Sequence, residues 1–174
     1  MSDVVFQTSR LSGRRLSPDD VDALFAVYSD PETVRWVGDG TPLTREKCEE
    51  WLEVTAANYE RRGYGMFALV ERESKAVYGF AGLVHPRGQE ECEIKYALHK
   101  SHWGRGYATE AVRALLAYGK SEHGIHRIIA TVADQNTASR HVLEKVGMAV
   151  REVREHSKGS TLVYEWSTTE ATDR

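Results

Sequence analysis

"HWGRGYATEAVRALLAYGK", residues 102–120, sets two glycines, an arginine and a tyrosine directly ahead of an apolar stripe. Ala108, Ala111, Val112, Leu115 and Leu116 recur at i, i+3, i+4, i+7 and i+8, so a helix begins near Ala108 and buries that face. The glycines then lie in the loop that enters the helix. A helix N-terminus presents unpaired N–H groups and a partial positive charge, and glycine lets a backbone approach an anion with no side chain between. With Arg105 adding a full charge, Gly104 to Thr109 reads as a phosphate-binding loop. A plainer reading stands beside it, in which Gly104 and Gly106 merely permit a tight strand-to-helix turn. A P-loop fails on spelling, because no Gly-Lys-Ser/Thr follows. The dinucleotide fingerprint fails too: Gly104, Gly106 and Thr109 supply two of its three glycines, and no acidic residue ends a strand roughly twenty residues on.

Upstream, "ECEIKYALH" alternates, with Cys92, Ile94, Tyr96 and Leu98 on one side and Glu91, Glu93, Lys95 and Ala97 on the other. "YGMFALVER" and "AVYGFAGLVH", joined by the polar "ESKA", read as a hairpin in the same sheet. Two helices precede them. Ser17 caps the first, with Pro18 at its first position and Val21, Leu24, Phe25 and Tyr28 on one face. Thr44 caps the second, Cys48, Trp51, Leu52, Thr55 and Tyr59 form its inner stripe, and Gly63 ends it. Downstream, "HRIIATVAD" is a strand and "NTASRHVLEKVG" a helix, capped by Asn136, striped by Ala138, Val142 and Val146 and closed by Gly147. "AVREVREHS" and "TLVYEWST" form an antiparallel hairpin around "KGS". With no internal repeat or linker, residues 1–174 are expected to make one mixed α/β (α+β) domain with a charged tail from about residue 168.

At 174 residues with 41% hydrophobic and 28% charged residues, the chain is expected to fold around one core. A net charge of -3 argues against a nucleic-acid partner, but not against a local basic patch for a phosphorylated small molecule. Cys48 and Cys92 have neither C-x-x-C spacing nor the histidine companions of a zinc site, and fit free thiols of a reducing, cytoplasmic compartment. The seven histidines show no i, i+4 pair with a carboxylate partner, so no metal is expected. "MSDVVFQTSR" lacks the apolar core of a signal peptide, and nowhere do eighteen apolar residues run together, so no membrane association is expected.

"WGRGYATEA", "TSRLSGRRLSPDDVDALFAVYSDPETVRWV", "ECEIKYAL" and "NTASRHVLEKVGM", in this order and spacing, resemble the GNAT family of acetyl-coenzyme A dependent N-acetyltransferases. Within it they are most similar to the branch that acetylates ribosomal-protein N-termini, the RimJ/RimL-like branch. The resemblance covers most of the chain. It implies that the loop Gly104, Arg105, Gly106, Tyr107, Ala108 and Thr109 holds the coenzyme A pyrophosphate through backbone amides. It also implies a mostly antiparallel sheet with helices on both faces, in which Tyr96, Ala97 and Leu98 splay from a central parallel neighbour and pair with the pantetheine arm as an added strand would. Asn136 matches the family asparagine near that arm, and a helix N-cap is its other role.

Acetyl transfer to an amine requires a neutral nitrogen, an oriented thioester, stabilisation of an oxyanion and a proton for the departing thiolate, but no metal. An N-terminal amine, with a pKa near 8, needs only a modest base or a water relay; a lysine near 10.4 needs more. Glu93 matches the acidic residue of the family's E-I-x-Y pattern and is expected to act as general base through water; as a bare residue of "QEECE" it reads equally as a solvated sheet-face charge. Ser139 matches the serine of N-x-x-S and would donate a hydrogen bond to the developing thiolate, or else sit on the helix surface. Many family members use a tyrosine there; Tyr96 is near, while Tyr107 and Tyr118 read as packing residues. Cys92 alternates with core positions and reads as a buried thiol rather than a nucleophile. Trp36, Trp51 and Tyr59 are candidates to wall an acceptor groove. Met148 stands where the branch has an aromatic residue, and Lys95 where it has a small one.

The expected activity is therefore acetyl transfer from acetyl-coenzyme A, as co-substrate, to a primary amine, with a protein or peptide N-terminus as acceptor. Small-molecule amines (an amino acid, a polyamine or an antibiotic) and a catalytically silent coenzyme A sensor are the alternatives. A homodimer is left open.

Overall fold

Residues 3–168 are described by a computed structural model. Eight strands, β1 (Val4–Gln7), β2 (Leu11–Arg15), β3 (Met66–Glu71), β4 (Val77–Val84), β5 (Cys92–Leu98), β6 (Arg127–Ala133), β7 (Ala149–His156) and β8 (Gly159–Ser167), form one sheet in the spatial order β1-β2-β3-β4-β5-β6-β8-β7. Among the described residues four α-helices cover it: α1 (Val21–Tyr28), α2 (Arg45–Arg62), α3 (Tyr107–His123) and α4 (Thr137–Lys145). The expected mixed α/β class is the one observed.

The period-2 pattern of the central strands feeds two cores. Phe67, Leu69, Leu83 and Ile94 pack with Val112 and Leu115 of α3 and Leu143 of α4 on one face. Met66, Ala68, Phe80 and Ala97 pack with Leu24, Val27 and Tyr28 of α1 and Cys48 of α2 on the other. Successive residues of β3 therefore alternate between the two layers. The caps of α2 fall where the sequence places them, Thr44 Oγ1 accepting from the Lys47 N–H at 3.2 Å and Gly63 ending the helix in the left-handed region with φ 81°, whereas Ser17 and Pro18 open a 3-10 turn and Asp20 is the N-cap of α1.

Every pairing in the sheet is antiparallel except β5 with β6, which run parallel and stay in register only at Cys92↔Ile128 and Glu93↔Ile129. Beyond Glu93 the two strands part.

Two strands were not legible in the sequence and two local expectations are corrected. "VVFQ" and "LSGRR" are strands, which their composition hides: Gly13 and a run of polar residues interrupt the apolar alternation. Phe25 does not join the inner face of α1 but stays 37% exposed, while Val27 is buried with Leu24 and Tyr28, so the buried stripe runs i, i+3, i+4 from Leu24 and Phe25 lies beside it. On α4, Ala138 is exposed and Leu143 is the residue buried against the sheet. The expected charged tail lies outside the described residues except for Thr168, whose N–H donates to the His126 carbonyl at 2.9 Å.

Asp20 ties α1 to β2. Its buried carboxylate receives Arg14 Nη1 at 2.9 Å and Nη2 at 2.8 Å, and the Ser17 N–H at 2.8 Å. Burial pushes the carboxyl up, but the hydrogen bonds from Arg14 and Ser17 outweigh it and hold the group below the usual carboxylate range. Its contribution to stability is therefore complete above that range and is lost as pH falls through the depressed native value. Arg14→Met leaves this carboxylate buried without its countercharge and should cost about 3 kcal/mol in urea denaturation at pH 7, with the gap to the unaltered chain closing under acid. A loss below about 1 kcal/mol would give the pair no structural weight.

Candidate active site

Trp103, Gly104, Arg105 and Gly106 are exposed between β5 and α3, and Gly104 (φ 74°) and Gly106 (φ 82°) both occupy the left-handed region. The plainer reading of these glycines therefore holds: the turn needs them. It does not displace the electrostatic one. Gly106 is the N-cap of α3 and offers no side-chain acceptor, so the N–H groups of Tyr107, Ala108 and Thr109 in the first turn lack intrahelical partners and lie at the helix's positive end. The exposed Arg105 adds its charge there.

The loop is braced from several sides. Trp103 Nε1 donates to the Leu98 carbonyl at 2.9 Å, tying it to the end of β5. His102 stacks on Tyr78 with ring centroids 3.6 Å apart, and burial, with His99 and Arg105, lowers its imidazole below the ordinary value, so it brings no charge at neutral pH. The Tyr107 ring lies between the Arg10 guanidinium, 4.1 Å from its centroid, and Tyr78 at 5.2 Å. Tyr107 is thus a packing residue, as expected, and so is Tyr118, which meets Phe67 edge-on and shares a 2.9 Å hydrogen bond with His123. Ala108 faces the core, while Thr109 is half-buried.

Parting of β5 from β6 creates the second half of the site. The His99 N–H donates to the Tyr78 carbonyl on the β4 side at 3.0 Å. The alternation of an antiparallel ladder then turns the N–H and C=O groups of Ile94, Tyr96 and Leu98 toward the gap. Ala97 faces α1 and α2 instead, with its backbone paired to Phe80 of β4. Of the three strand residues expected to meet an extended ligand, Tyr96 and Leu98 present their backbone to the opening and Ala97 does not.

Two groups of side chains flank this gap from opposite faces. Glu93, at the last paired position, is only 3% exposed, so it is not a solvated sheet-face charge. Its Oε1 accepts from Thr131 Oγ1 at 2.6 Å and its Oε2 from Gln89 Nε2 at 3.2 Å, with Lys95 Nζ 3.8 Å away. Each oxygen keeps a further lone pair. On the other face, the Tyr96 and Ser139 hydroxyls lie 2.5 Å apart, joining β5 to α4. Burial pushes the Tyr96 phenol up to about 12, with the Ser139 hydrogen bond working against it, so the pair stays protonated. The Asn136 side chain accepts the Ser139 N–H at 3.2 Å, the N-cap role, and thereby holds Ser139 toward Tyr96.

Other residues singled out by the sequence have partners of their own. Tyr59 donates to the Met66 carbonyl and accepts from the Leu16 N–H, so it braces the sheet rather than walling a groove. Trp51 packs on Tyr28 at 5.1 Å; Trp36 is 40% exposed beneath Arg35. Both cysteines are buried free thiols, and burial pushes Cys92 up to about 12, far from a nucleophile's range. Glu91, just before β5, accepts from Arg151 Nη1 at 2.7 Å and ties that end of the strand to β7. Sequence reasoning missed Thr8, Arg10 and Glu110, which meet at the mouth of α3, because their contacts span about a hundred residues of chain.

Residues 10–149 match the family model described as an acetyltransferase (GNAT) domain. An uncharacterized N-acetyltransferase of Bacillus subtilis, YoaA, is 30% identical over 145 residues, covering 82% of this chain and 81% of that protein. The crystal structure of a GNAT-family acetyltransferase from Bacillus anthracis superposes with a TM-score of 0.78 at 25% identity, over 92% of this chain and 96% of its own. The ribosomal L7/L12 alpha-N-protein acetyltransferase RimL, solved with coenzyme A, superposes with a TM-score of 0.82 over 94% and 97% of the two chains. At 15% identity, that last likeness concerns the fold alone.

The Tyr96–Ser139 pair is open to direct measurement. With tyrosine labelled at its ζ carbon and the Tyr96 resonance assigned by Tyr96→Phe, the phenol should titrate with a midpoint of about 12. Ser139→Ala should move the midpoint higher still, because it removes the hydrogen bond that favours the phenolate. A midpoint near the ordinary value of about 10 would show that Tyr96 is neither buried nor paired as described.

Proposed function

We propose, from the premise that this chain belongs to the GNAT acetyltransferase family and is an acetyl-coenzyme A dependent N-acetyltransferase, that its acceptor is the N-terminal amine of a protein or peptide. The observation that carries the reading is the pairing of a buried carboxylate, Glu93, with a proton-bearing Tyr96–Ser139 pair across one strand gap. The exposed helix N-terminus of α3 suits the coenzyme A pyrophosphate, and the backbone edge of Ile94, Tyr96 and Leu98 suits the amide-bearing pantetheine arm.

In this reading the acceptor nitrogen attacks the thioester carbonyl and the carbon–sulfur bond breaks. Glu93 accepts the amine proton through a water, using a lone pair left free by Thr131 and Gln89. The Tyr96–Ser139 pair donates a hydrogen bond to the departing thiolate, which is less basic than the buried phenolate, leaves as the hydrogen-bonded anion and takes up its proton from solvent. An acceptor with a pKa near 8 suits a relayed carboxylate better than a lysine side chain does, since its neutral fraction near pH 7 is some hundredfold larger. RimL, by its name, acts on a protein α-amine, and it shares this fold.

One observation favours a second acceptor class. Lys95 is exposed on the same strand face as Glu93, with Nζ 3.8 Å from its carboxylate. An ammonium at that place attracts an acceptor bearing its own carboxylate, such as a free α-amino acid. A panel of peptides, amino acids and their amides, assayed by thiol release, separates the two: faster turnover of free amino acids than of peptides would favour the second. Thiol release that no amine accelerates would remove both.

The base and the hydrogen-bond donor carry different pH signatures. Glu93→Gln should lower turnover near neutrality by about a hundredfold and recover in part at higher pH, where more of the acceptor is already neutral. Ser139→Ala should lower turnover by about fivefold, the equivalent of one neutral hydrogen bond, almost independently of pH below 10. Wild-type turnover of Glu93→Gln at every pH would leave water alone, or an acceptor-side group, as the base.

A further inference from the structure

The turn between β1 and β2 closes on the first turn of α3. Glu110 Oε1 accepts from Thr8 Oγ1 at 2.5 Å and from the Arg10 N–H at 2.9 Å; Oε2 accepts from Arg10 Nε and Nη2, each at 2.8 Å. Arg10 Nη1 reaches past this carboxylate to the Arg105 carbonyl at 2.9 Å, and the guanidinium lies over the Tyr107 ring. The turn is itself held from behind: the Leu11 N–H donates to Thr8 Oγ1, the Arg72 N–H to the Arg10 carbonyl and Arg72 Nη1 to the Thr8 carbonyl. One arginine thus connects a fixed turn, a carboxylate of α3 and a main-chain oxygen inside the glycine loop.

We infer that Arg10 is a positioning residue for the phosphate end of acetyl-coenzyme A, acting through the peptide between Arg105 and Gly106 and through Glu110; this rests on the reading of Gly104 to Thr109 as the pyrophosphate site. Two physical steps carry it. A trans peptide is planar, so its N–H points opposite to its C=O. With the Arg105 carbonyl held toward Arg10, the Gly106 N–H is turned away from Arg10 and toward the exposed side of the loop. Gly106, in the left-handed region, has no side chain of its own to set that orientation. The second step is charge. A carboxylate suits the first turn of a helix, but unpaired it would repel an anion bound at the same terminus. Burial pushes the Glu110 carboxyl up, and the bonds from Thr8 and Arg10 more than reverse this, so it stays charged and is neutralised in place by Arg10.

Arginine is required for its shape. Nε and Nη2 converge on Glu110 Oε2 while Nη1 reaches the Arg105 carbonyl, so one planar group spans two acceptors in fixed geometry, which an ammonium cannot reproduce. The test uses the full chain with two acetyl donors, acetyl-coenzyme A and a phosphate-free acetyl-pantetheine thioester, and compares Arg10→Met, Arg10→Lys and Arg105→Ala. Arg10→Met and Arg10→Lys should each raise KM for acetyl-coenzyme A about tenfold, the equivalent of one charge-assisted hydrogen bond. Their kcat should stay within about twofold, and KM for the phosphate-free donor should be unchanged. That donor also reports folded active sites, so equal losses on both donors would make Arg10 a purely structural residue and overturn the inference. Restoration of KM by Arg10→Lys would mean that charge alone suffices, and would overturn it as well. An unchanged KM in Arg10→Met beside a raised one in Arg105→Ala would sink the role of Arg10 while leaving the phosphate loop in place. If neither variant moved KM, the loop reading would fail and the inference with it.

Discussion

Two residue pairs of parallel ladder, Cys92 with Ile128 and Glu93 with Ile129, are all that join β5 to β6 in register. A strand buried on both faces normally satisfies its backbone on both edges, because an unpaired buried N–H or C=O costs about as much as a lost hydrogen bond. Here β5 is paired to β4 from Glu93 to Leu98 and released from β6 past Glu93. The release is a standing demand for partners, met at one point by Trp103, whose indole takes the Leu98 carbonyl. Everything in the site is arranged around that opening: the loop at its mouth, Glu93 at its closed end, and Tyr96 with Ser139 along one side.

Electrostatics at the mouth follow from how α3 begins. Its N-cap is a glycine, so the positive end of the helix is left without a local acceptor. A negative group does lie one turn in, Glu110, but it is engaged by Thr8 and Arg10 and therefore leaves the terminal amides available. The same arginine covers Tyr107, which packs against Tyr78, on which His102 stacks. The loop is accordingly flexible in composition but held on several sides in structure, the condition for backbone groups to recognise an anion without first being ordered by it.

Much of this was legible in the sequence. The stripe from Ala108 to Leu116, the alternation of "ECEIKYALH", the cap at Thr44 and the stop at Gly63 are local patterns, and each appears where periodicity and capping chemistry put it. The misplaced details share one cause. Phe25 and Ala138 were assigned to inner faces by spacing alone, yet spacing in a short helix does not report which stripe the sheet beneath it buries. Strands β1, at the sheet edge, and β2, beside it, are hidden because they are short and because Gly13 and several polar residues leave little alternation.

Residue types at fixed spacing are enough to specify helices, strands and a glycine turn, since these depend on neighbours within a few positions; so the order of elements from α1 onward, the mixed α/β class and the glycine loop at the mouth of α3 were determined by the sequence itself. What Glu93, Ser139, Asn136 and Arg10 do was decided by the tertiary structure. Burial converts Glu93 from a sheet-face charge into a carboxylate with two hydrogen bonds, and the approach of α4 to β5 turns a helix serine into half of a hydroxyl pair. Arg10 acquires a role only when the β1–β2 turn meets a helix a hundred residues further along the chain. Hydrogen-bond partners and desolvation are properties of distance in space, and distance in space between remote segments is set by the packing of the whole sheet.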